Sequence, residues 1–285
     1  MRLSACTRLL KSLCDPFTNE PELYKEMGFN GMDFDLNYKV SDKIGENWRE
    51  IAEKFAQKSR DLDVLTVQTH LPYGYLKNVG PQGAEESMMN EALEATKILG
   101  APYAVFHAVS TPDPKDGLAA TYEYFMPVIE KGKKMGFDLL IEIMPDYVVY
   151  PNTAELLIEA ADKMGIGICW DFGHYNINKP RGTNAQREKL LLMRDRIKAI
   201  HANDNFGTAT DEHLPPFFMY SSRSRIKLAS TREAVSCTCC AACAASMPLS
   251  ASSAARSTRR PCPVERFRLS ITYTFSRSCA ARQAF

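Results

Sequence analysis

Seven short apolar runs recur along residues 1–204 at a spacing of roughly 30 residues, which is typical of βα units. The runs are rich in Val, Ile, Phe and Leu, as expected for strands buried on both faces of a parallel sheet. We predict strands at 2–6, 31–36, 63–69, 102–107, 138–143, 166–171 and 197–202. Segments with helical periodicity alternate with them, at 21–29, 46–60, 83–100, 121–136, 152–165 and 184–196.

Glycines support the predicted helix ends. Gly28, Gly100, Gly136 and Gly165 each stand at the end of a helical segment just before the next strand, where glycine can adopt a left-handed C-cap. At the start of one helix, Asn152 is a plausible N-cap, and Glu155 would complete a capping box. The repeat therefore predicts an α/β fold, a (β/α)8 TIM barrel in which seven βα units are recognisable.

The pattern stops after Pro216, so the eighth unit of the barrel is missing or replaced by an irregular tail. Residues 217–285 hold 11 Lys and Arg but 2 Asp and Glu, and they contain six of the nine cysteines. We divide the chain into a barrel at 1–216 and an irregular basic tail rich in Cys, Ser and Arg at 217–285. A frameshift near codon 217 would produce a sequence of this composition, and a divergent C-terminal extension is the alternative. The stretch 266–275 does alternate and could form a strand.

The composition of the barrel region excludes several classes of protein. The residues before the tail carry 24 basic and 32 acidic side chains, which disfavours electrostatic binding to a nucleic-acid backbone. No apolar run approaches the ~20 residues that span a membrane, and the first residues lack the apolar core of a signal peptide. Cys6, Cys14 and Cys169 lie in strand-like contexts and are interpreted as free thiols. We expect a cytoplasmic protein.

All five histidines of the chain lie in short polar clusters that follow apolar runs, and carboxylates accompany them. Side chains that follow successive parallel strands converge at one end of a barrel. Imidazole and carboxylate groups are common ligands of divalent metals. The sequence therefore predicts a metal site built from some or all of His70, His107, Glu142, Asp171, His174, His201, Asp211 and His213.

Each of these residues also has a simpler structural interpretation. Glu142 could form a salt bridge in the core, and Asp171 could cap a helix with His174 hydrogen-bonded beside it. Asp211 and His213 lie on a predicted loop, where an exposed position is the default. The remaining histidines could be hydrogen-bonded core residues. Because the set follows consecutive strands of one repeat and includes every histidine, we favour the metal site.

The segments THLPY, VFHA, LIEIMP, ICWDFGH, IHANDN and DEHLPP, in this order, resemble the xylose isomerase-like barrel superfamily over about residues 1–216. This superfamily contains sugar and sugar-phosphate isomerases and epimerases, and also endonuclease IV. The run HANDN followed by DEHLPP is most similar to the isomerase and epimerase branch.

The resemblance to that branch implies an enzyme with a divalent metal, in the first place Mn²⁺, with Zn²⁺ or Co²⁺ as alternatives. Glu142, Asp171 and His201 would bind the metal, and a Glu from the eighth strand would complete the set. The catalytic residues would be Glu142, which moves a proton beside a carbonyl, and His174, which contacts a substrate oxygen. An enediolate would form, and the partner would be a small sugar or sugar phosphate.

The resemblance to endonuclease IV implies a different use of the same residues. Its three-zinc site would engage all eight residues of the predicted metal site, with a ninth ligand again a Glu from the last strand. Tyr73 also falls where that family has a tyrosine. The acidic barrel region makes nucleic acid an unlikely partner. A barrel that binds sugars without turnover is a third hypothesis.

The tail departs from both patterns. Its acidic residues are Glu233 and Glu265, and neither follows a strand of the expected kind. The site would therefore lose one ligand and one catalytic carboxylate, and we expect impaired activity. The edges of the first and seventh strands would be exposed in an open barrel. Apolar helix faces are compatible with a homo-oligomer.

Overall fold

The computed structural model describes residues 2–73, 84–109, 114–144, 153–177, 193–208, 210, 211, 213, 214 and 270–273. Eight parallel strands form a closed barrel in sequence order, which confirms the predicted (β/α)8 fold. The strands are β1 (Arg2–Cys6), β2 (Gly31–Asp35), β3 (Leu65–His70), β4 (Tyr103–Phe106), β5 (Asp138–Glu142), β6 (Gly167–Asp171), β7 (Ile197–His201) and β8 (Ser270–Tyr273).

Helices connect the strands around the outside of the barrel. They are α1 (Glu20–Glu26), α2 (Val40–Ile44), α3 (Trp48–Asp61), α4 (Ala84–Leu99), α5 (Pro114–Met135), α6 (Thr153–Met164) and α7 (Phe172–Asn176), and a 3-10 helix spans Thr7–Ser12. The short elements α2, α7 and the 3-10 helix were not predicted, because five or six residues carry too little periodicity. Most of the helix predicted at 184–196 and the cap at Asn152 lie outside the described residues. No helix within the described ranges is long and apolar enough to cross a membrane.

The predicted helix ends are confirmed at all four glycines. Gly28, Gly100, Gly136 and Gly165 have φ angles of 81°, 69°, 98° and 65°. This left-handed region is strained for residues with a Cβ, so glycine allows each helix to stop and turn directly into the next strand.

Strand β8 comes from the tail and occupies the eighth position. Ser270 to Tyr273 pair with Arg2 to Ala5 of β1, and Ser270 to Thr272 pair with Ala199 to His201 of β7. The expected open barrel is therefore wrong: both edges are paired through backbone hydrogen bonds. Pairing of this kind needs an extended segment with free N–H groups, which Ser270–Tyr273 supply without any family motif.

Alternation along the strands separates two apolar regions. Residues such as Phe34, Phe106 and Trp170 face outward and pack beneath the helices in the main core. Val105, Leu140, Cys169 and Ala199 form a second, smaller buried cluster from four neighbouring strands. This cluster is a layer inside the barrel, and because side chains alternate with period two, the next inward position on each strand lies one layer above it.

We predict that removing residues 266–285 destabilises the barrel, because β1 and β7 then expose unpaired backbone groups that promote aggregation. Light scattering and thermal unfolding should show aggregation and a lower midpoint relative to the full chain. Removal of 276–285 is the control, since it leaves β8 in place. Equal behaviour of the two truncated chains would show that β8 does not contribute to the barrel.

Candidate metal centre

Polar side chains occupy the carboxyl ends of five consecutive strands, from β3 to β7. In β5, β6 and β7 the polar residue stands two positions after a member of the inner apolar layer, so it points into the same interior. The C-terminal mouth of the barrel therefore carries a polar layer directly above the apolar one. Its members are His70, His107, Glu142, Asp171 and His201.

Glu142 lies at the centre of this layer and is 1% exposed. Its Oε2 atom is 3.0 Å from Nε2 of His70 and 3.0 Å from Nε2 of His107. Its Oε1 atom is 2.9 Å from Nδ1 of His201 and 3.2 Å from Nδ1 of His174. The two oxygens of one carboxylate thus face two different sets of histidines.

Asp171 combines the two roles that the sequence left open. It is the N-cap of α7, where its Oδ1 accepts the His174 N–H at 2.7 Å. Its Oδ2 also lies 3.6 Å from Nδ1 of His201. A helix cap uses one lone pair of the carboxylate, so the same side chain can hold α7 and still offer an oxygen to a metal.

Asp211 and His213 reach the mouth from the loop after β7. Nε2 of His213 is 2.6 Å from Oδ2 of Asp211, and Nε2 of His174 is 3.2 Å from the same oxygen. A backbone bridge between Asp204 and Leu214 ties the loop back on itself. His213 has a φ of 48°, a strained conformation that is more common at functional sites than elsewhere.

The eight predicted ligands fall into three groups, each with three donor atoms within 4.8 Å of one another. Glu142 belongs to two of the groups and links them. The structure therefore brings together every residue of the predicted set, including the two from the loop that the sequence treated as exposed by default. The groups are His70, His107 and Glu142; Glu142, Asp171 and His201; and His174, Asp211 and His213.

The charges of the centre shift the pKa values of its members. Burial would raise the pKa of Glu142, but the neighbouring His201 and His107 lower it well below its usual range. Burial opposes protonation of His174, yet Asp171, Asp211 and Glu142 raise its pKa well above normal. His107 is the exception, because burial lowers its pKa to about 4. The carboxylates thus favour positive charge in the centre.

The donor set fits a divalent cation, which would supply that positive charge directly. Imidazole nitrogen and carboxylate oxygen together suit Mn²⁺, Co²⁺ and Zn²⁺. His174 Nδ1 lies 2.9 Å from the Ile143 carbonyl, which accepts a hydrogen bond from it. In the neutral ring, the lone pair of Nε2, on the side of Asp211, is then available to bind a metal. Oδ1 of Asp211 is buried and has no hydrogen-bond partner among the residues that the structure describes. A buried carboxylate oxygen of this kind is costly unless a cation or proton satisfies it.

Two further side chains surround His201 and were missed from the sequence. Asp33 and Gln68 are paired in register on β2 and β3. Gln68 lies 2.7 Å from Nε2 of His201 through its amide, and Oδ2 of Asp33 lies 3.8 Å from the same nitrogen. The amide nitrogen of Gln68 donates to Nε2 of His201, and both side chains hold the ring from the side opposite Glu142, so that Nδ1 stays directed toward Glu142. The sequence did hold a signal for Gln68: it precedes His70 by two positions on β3, and alternation along a strand points both side chains to the same face.

Asn203 and Asn205 lock the segment that carries Asp171 and His174. Nδ2 of Asn203 donates to both carboxylate oxygens of Asp171, at 3.1 and 2.9 Å. Nδ2 of Asn205 donates to the Gly173 carbonyl at 2.6 Å. The sequence suggested only a turn here, because side-chain contacts between two loops leave no periodic signal.

Comparison with known proteins agrees with the fold. Residues 21–218 match the family described as xylose isomerase-like TIM barrel. The chain belongs to this family. A curated relative, the uncharacterized protein y4fM of Sinorhizobium fredii, is 26% identical over 141 residues, which are 46% of this chain and 43% of that protein. The chain therefore matches less than half the length of that relative.

Solved structures share the fold. A putative xylose isomerase from Rhodospirillum rubrum superposes with a TM-score of 0.61 at 17% identity, over 75% of this chain and 80% of that one. A D-tagatose 3-epimerase-like protein gives 0.56 at 21%, over 75% and 79%. An AP endonuclease of family 2 from Brucella melitensis gives 0.55 at 16%, over 71% and 80%. At these identities the likeness establishes the fold and not the reaction.

We predict that Gly173→Ala disrupts the centre, because a Cβ at this position would lie 1.5 Å from Oδ1 of Asn203. Forcing the two loops apart should destabilise the protein by roughly 1–3 kcal/mol and weaken metal binding through Asp171. Thermal unfolding and a metal titration measure both effects. Adding Asn203→Ala to the Gly173→Ala variant should restore stability but not metal affinity. Recovery of both would show that Asn203 does not position Asp171 for metal binding.

Proposed function

We propose that this protein is a divalent-metal-dependent isomerase or epimerase of a sugar or sugar phosphate. The observation that supports it best is the position of Glu142, a buried carboxylate at the end of β5 whose Oε1 faces His201 beside Asp171. Such a group can bind a metal and still stand beside the reacting carbon. The names of the structural relatives, an epimerase-like protein and a putative xylose isomerase, support the same class of substrate.

Glu142, Asp171 and His201 would hold the metal. A divalent cation bound there would polarise the carbonyl of a ketose and make the adjacent C–H bond more acidic. Three protein ligands leave coordination positions open, as catalytic sites require. Gln68 and Asp33 keep the His201 ring in place, and Asn203 does the same for Asp171.

Glu142 removes the proton next to the carbonyl, and Nε2 of His174 hydrogen-bonds a substrate oxygen. A single carboxylate can return the proton to the neighbouring carbon on the same face, which is isomerisation. Inversion at one carbon needs a second group on the opposite face. Strand β8 has the sequence SITY and contributes no carboxylate, so the chain favours proton exchange and isomerisation over epimerisation.

A second candidate is metal-dependent cleavage of DNA at abasic sites. It is favoured by the division of the ligands into three groups, two of which share Glu142, because adjacent cations can stabilise the attacking and leaving oxygens of a phosphoester. The AP endonuclease among the structural relatives is consistent with it. The acidic balance of residues 1–216 opposes it, since a nucleic-acid surface needs basic side chains.

Solvent exchange tests the first candidate. The manganese-loaded protein should incorporate deuterium from D₂O beside the carbonyl of a ketose, within a panel of neutral and phosphorylated ketoses. Glu142→Gln should lower the rate by about 10²–10⁴-fold, because it removes the base. Glu50→Gln is the matched control on the exposed surface of α3, and should leave the rate unchanged. Absence of exchange with the whole panel would contradict the proposal.

Metal analysis and a cleavage assay separate the two candidates. One manganese or cobalt per chain, counted after the tail cysteines are substituted, supports the isomerase. Two or three zinc ions with cleavage of an abasic-site duplex support the nuclease. The cytoplasmic location, the homo-oligomer and the domain boundary at residue 216 stay predictions from the sequence.

The register of β8 allows the missing ligand to be restored. Thr272 is paired with His201 across β7 and β8, so we predict that Thr272→Glu tightens manganese binding by adding a carboxylate beside the centre. Ser270→Glu, at the other end of the strand and paired with Ala199, should not. Calorimetric titration of both variants measures the difference in manganese affinity. Equal affinities would show that position 272 is not the place where a carboxylate on β8 reaches the metal.

A further inference from the structure

An arginine at the barrel mouth takes no part in the metal centre. Arg8 lies in the 3-10 helix that follows β1, and its Nη1 donates a hydrogen bond to the Tyr73 hydroxyl at 2.6 Å. The Tyr73 ring packs beside two members of the centre, with its centroid 4.5 Å from that of His107 and 5.3 Å from that of His70. The guanidinium therefore stands one tyrosine ring away from two metal-binding candidates.

A closed ring of hydrogen bonds fixes this position. The Asp35 N–H donates to Oγ1 of Thr7 at 3.0 Å, and the Asn37 N–H donates to Oδ1 of Asp35 at 3.1 Å. The Tyr73 N–H donates to Oδ1 of Asn37 at 3.2 Å. Because Thr7 precedes Arg8 in the chain, the bond from Arg8 to Tyr73 completes the ring. It joins the segments after β1, β2 and β3, so the guanidinium is held by three strand ends.

The charge of Arg8 is only partly balanced within the described part of the chain, by the nearby Asp35. No described carboxylate forms an ion pair with it, and Asp35 pairs instead with Lys11 at 3.8 Å. A guanidinium has five N–H donors, and its described hydrogen bonds use one of them. The side chain is exposed at the mouth, while the centre beside it is rich in carboxylates. A planar cation with free donors binds oxyanions in a bidentate geometry.

We propose that Arg8, oriented by Tyr73, binds an anionic group at the far end of the sugar substrate, a phosphate ester or a carboxylate. The inference rests on the proposed function and specifies its substrate class: the carbonyl end of the sugar faces Glu142, and the anionic end lies over Tyr73 against Arg8.

Binding of three probes to the manganese-loaded full chain tests this inference: D-fructose, D-fructose 6-phosphate and D-fructuronate. We expect the wild type to bind at least one charged probe roughly tenfold or more tightly than fructose, because a hydrogen bond to a charged group contributes that much. The probe with the larger preference identifies the group as phosphate or carboxylate. Arg8→Met should remove the preference, and Arg8→Lys should keep part of it.

Lys11→Met is the matched control, because it removes the same charge from the same helix at a side chain that contacts Asp35 and not Tyr73. It should keep the preference. Three results would overturn the inference: a wild type that prefers neither charged probe, an Arg8→Met variant that keeps the preference, or an equal loss in Lys11→Met. Binding does not require turnover, so a chain that binds the charged probe without solvent exchange would reject the proposed function and retain the anion site.

Discussion

The burial of the Glu142 carboxylate is the constraint on which the site depends. A charge in the interior of a barrel is stable only where opposite charge or hydrogen-bond donors surround it. Four histidines contact its two oxygens, between 2.9 and 3.2 Å. The second nitrogen of two of these histidines also has a partner: Asp211 lies beside Nε2 of His174, and Gln68 lies beside Nε2 of His201. The contacts that stabilise this one carboxylate thus involve five consecutive strands.

Strand geometry explains why these groups meet. In β5, β6 and β7 the same alternation places Leu140, Cys169 and Ala199 in the inner apolar layer and the polar residue two positions later above it. The lower layer excludes water and supports the upper one from below. Hydrophobic packing therefore determines the height of the polar layer, and the low dielectric beneath it strengthens the interactions among the charges.

The sequence predicted the seven strands and the helix ends at glycine, and it proposed the eight candidate ligands that the structure brings together, because each has a regular signal. Strands and helices repeat with fixed periods, and the histidines follow the strands. The supports of the centre have no such signal. Asp33 and Asn203 act through contacts between separate strands or loops, and Arg8 reaches Tyr73 across 65 positions of sequence. Only the register and the loop positions of the folded chain bring these residues together.

Strand β8 separates the requirements of the fold from those of the chemistry. It closes the barrel through backbone groups, which almost any extended segment without proline can supply. A metal ligand depends instead on one side chain at one register position, and SITY has no carboxylate to place there. Closure protects the edges of β1 and β7 and keeps the mouth circular, so the histidines and Glu142 stay assembled. A complete barrel can therefore surround a centre that lacks a ligand, because the two depend on different atoms of the same strand.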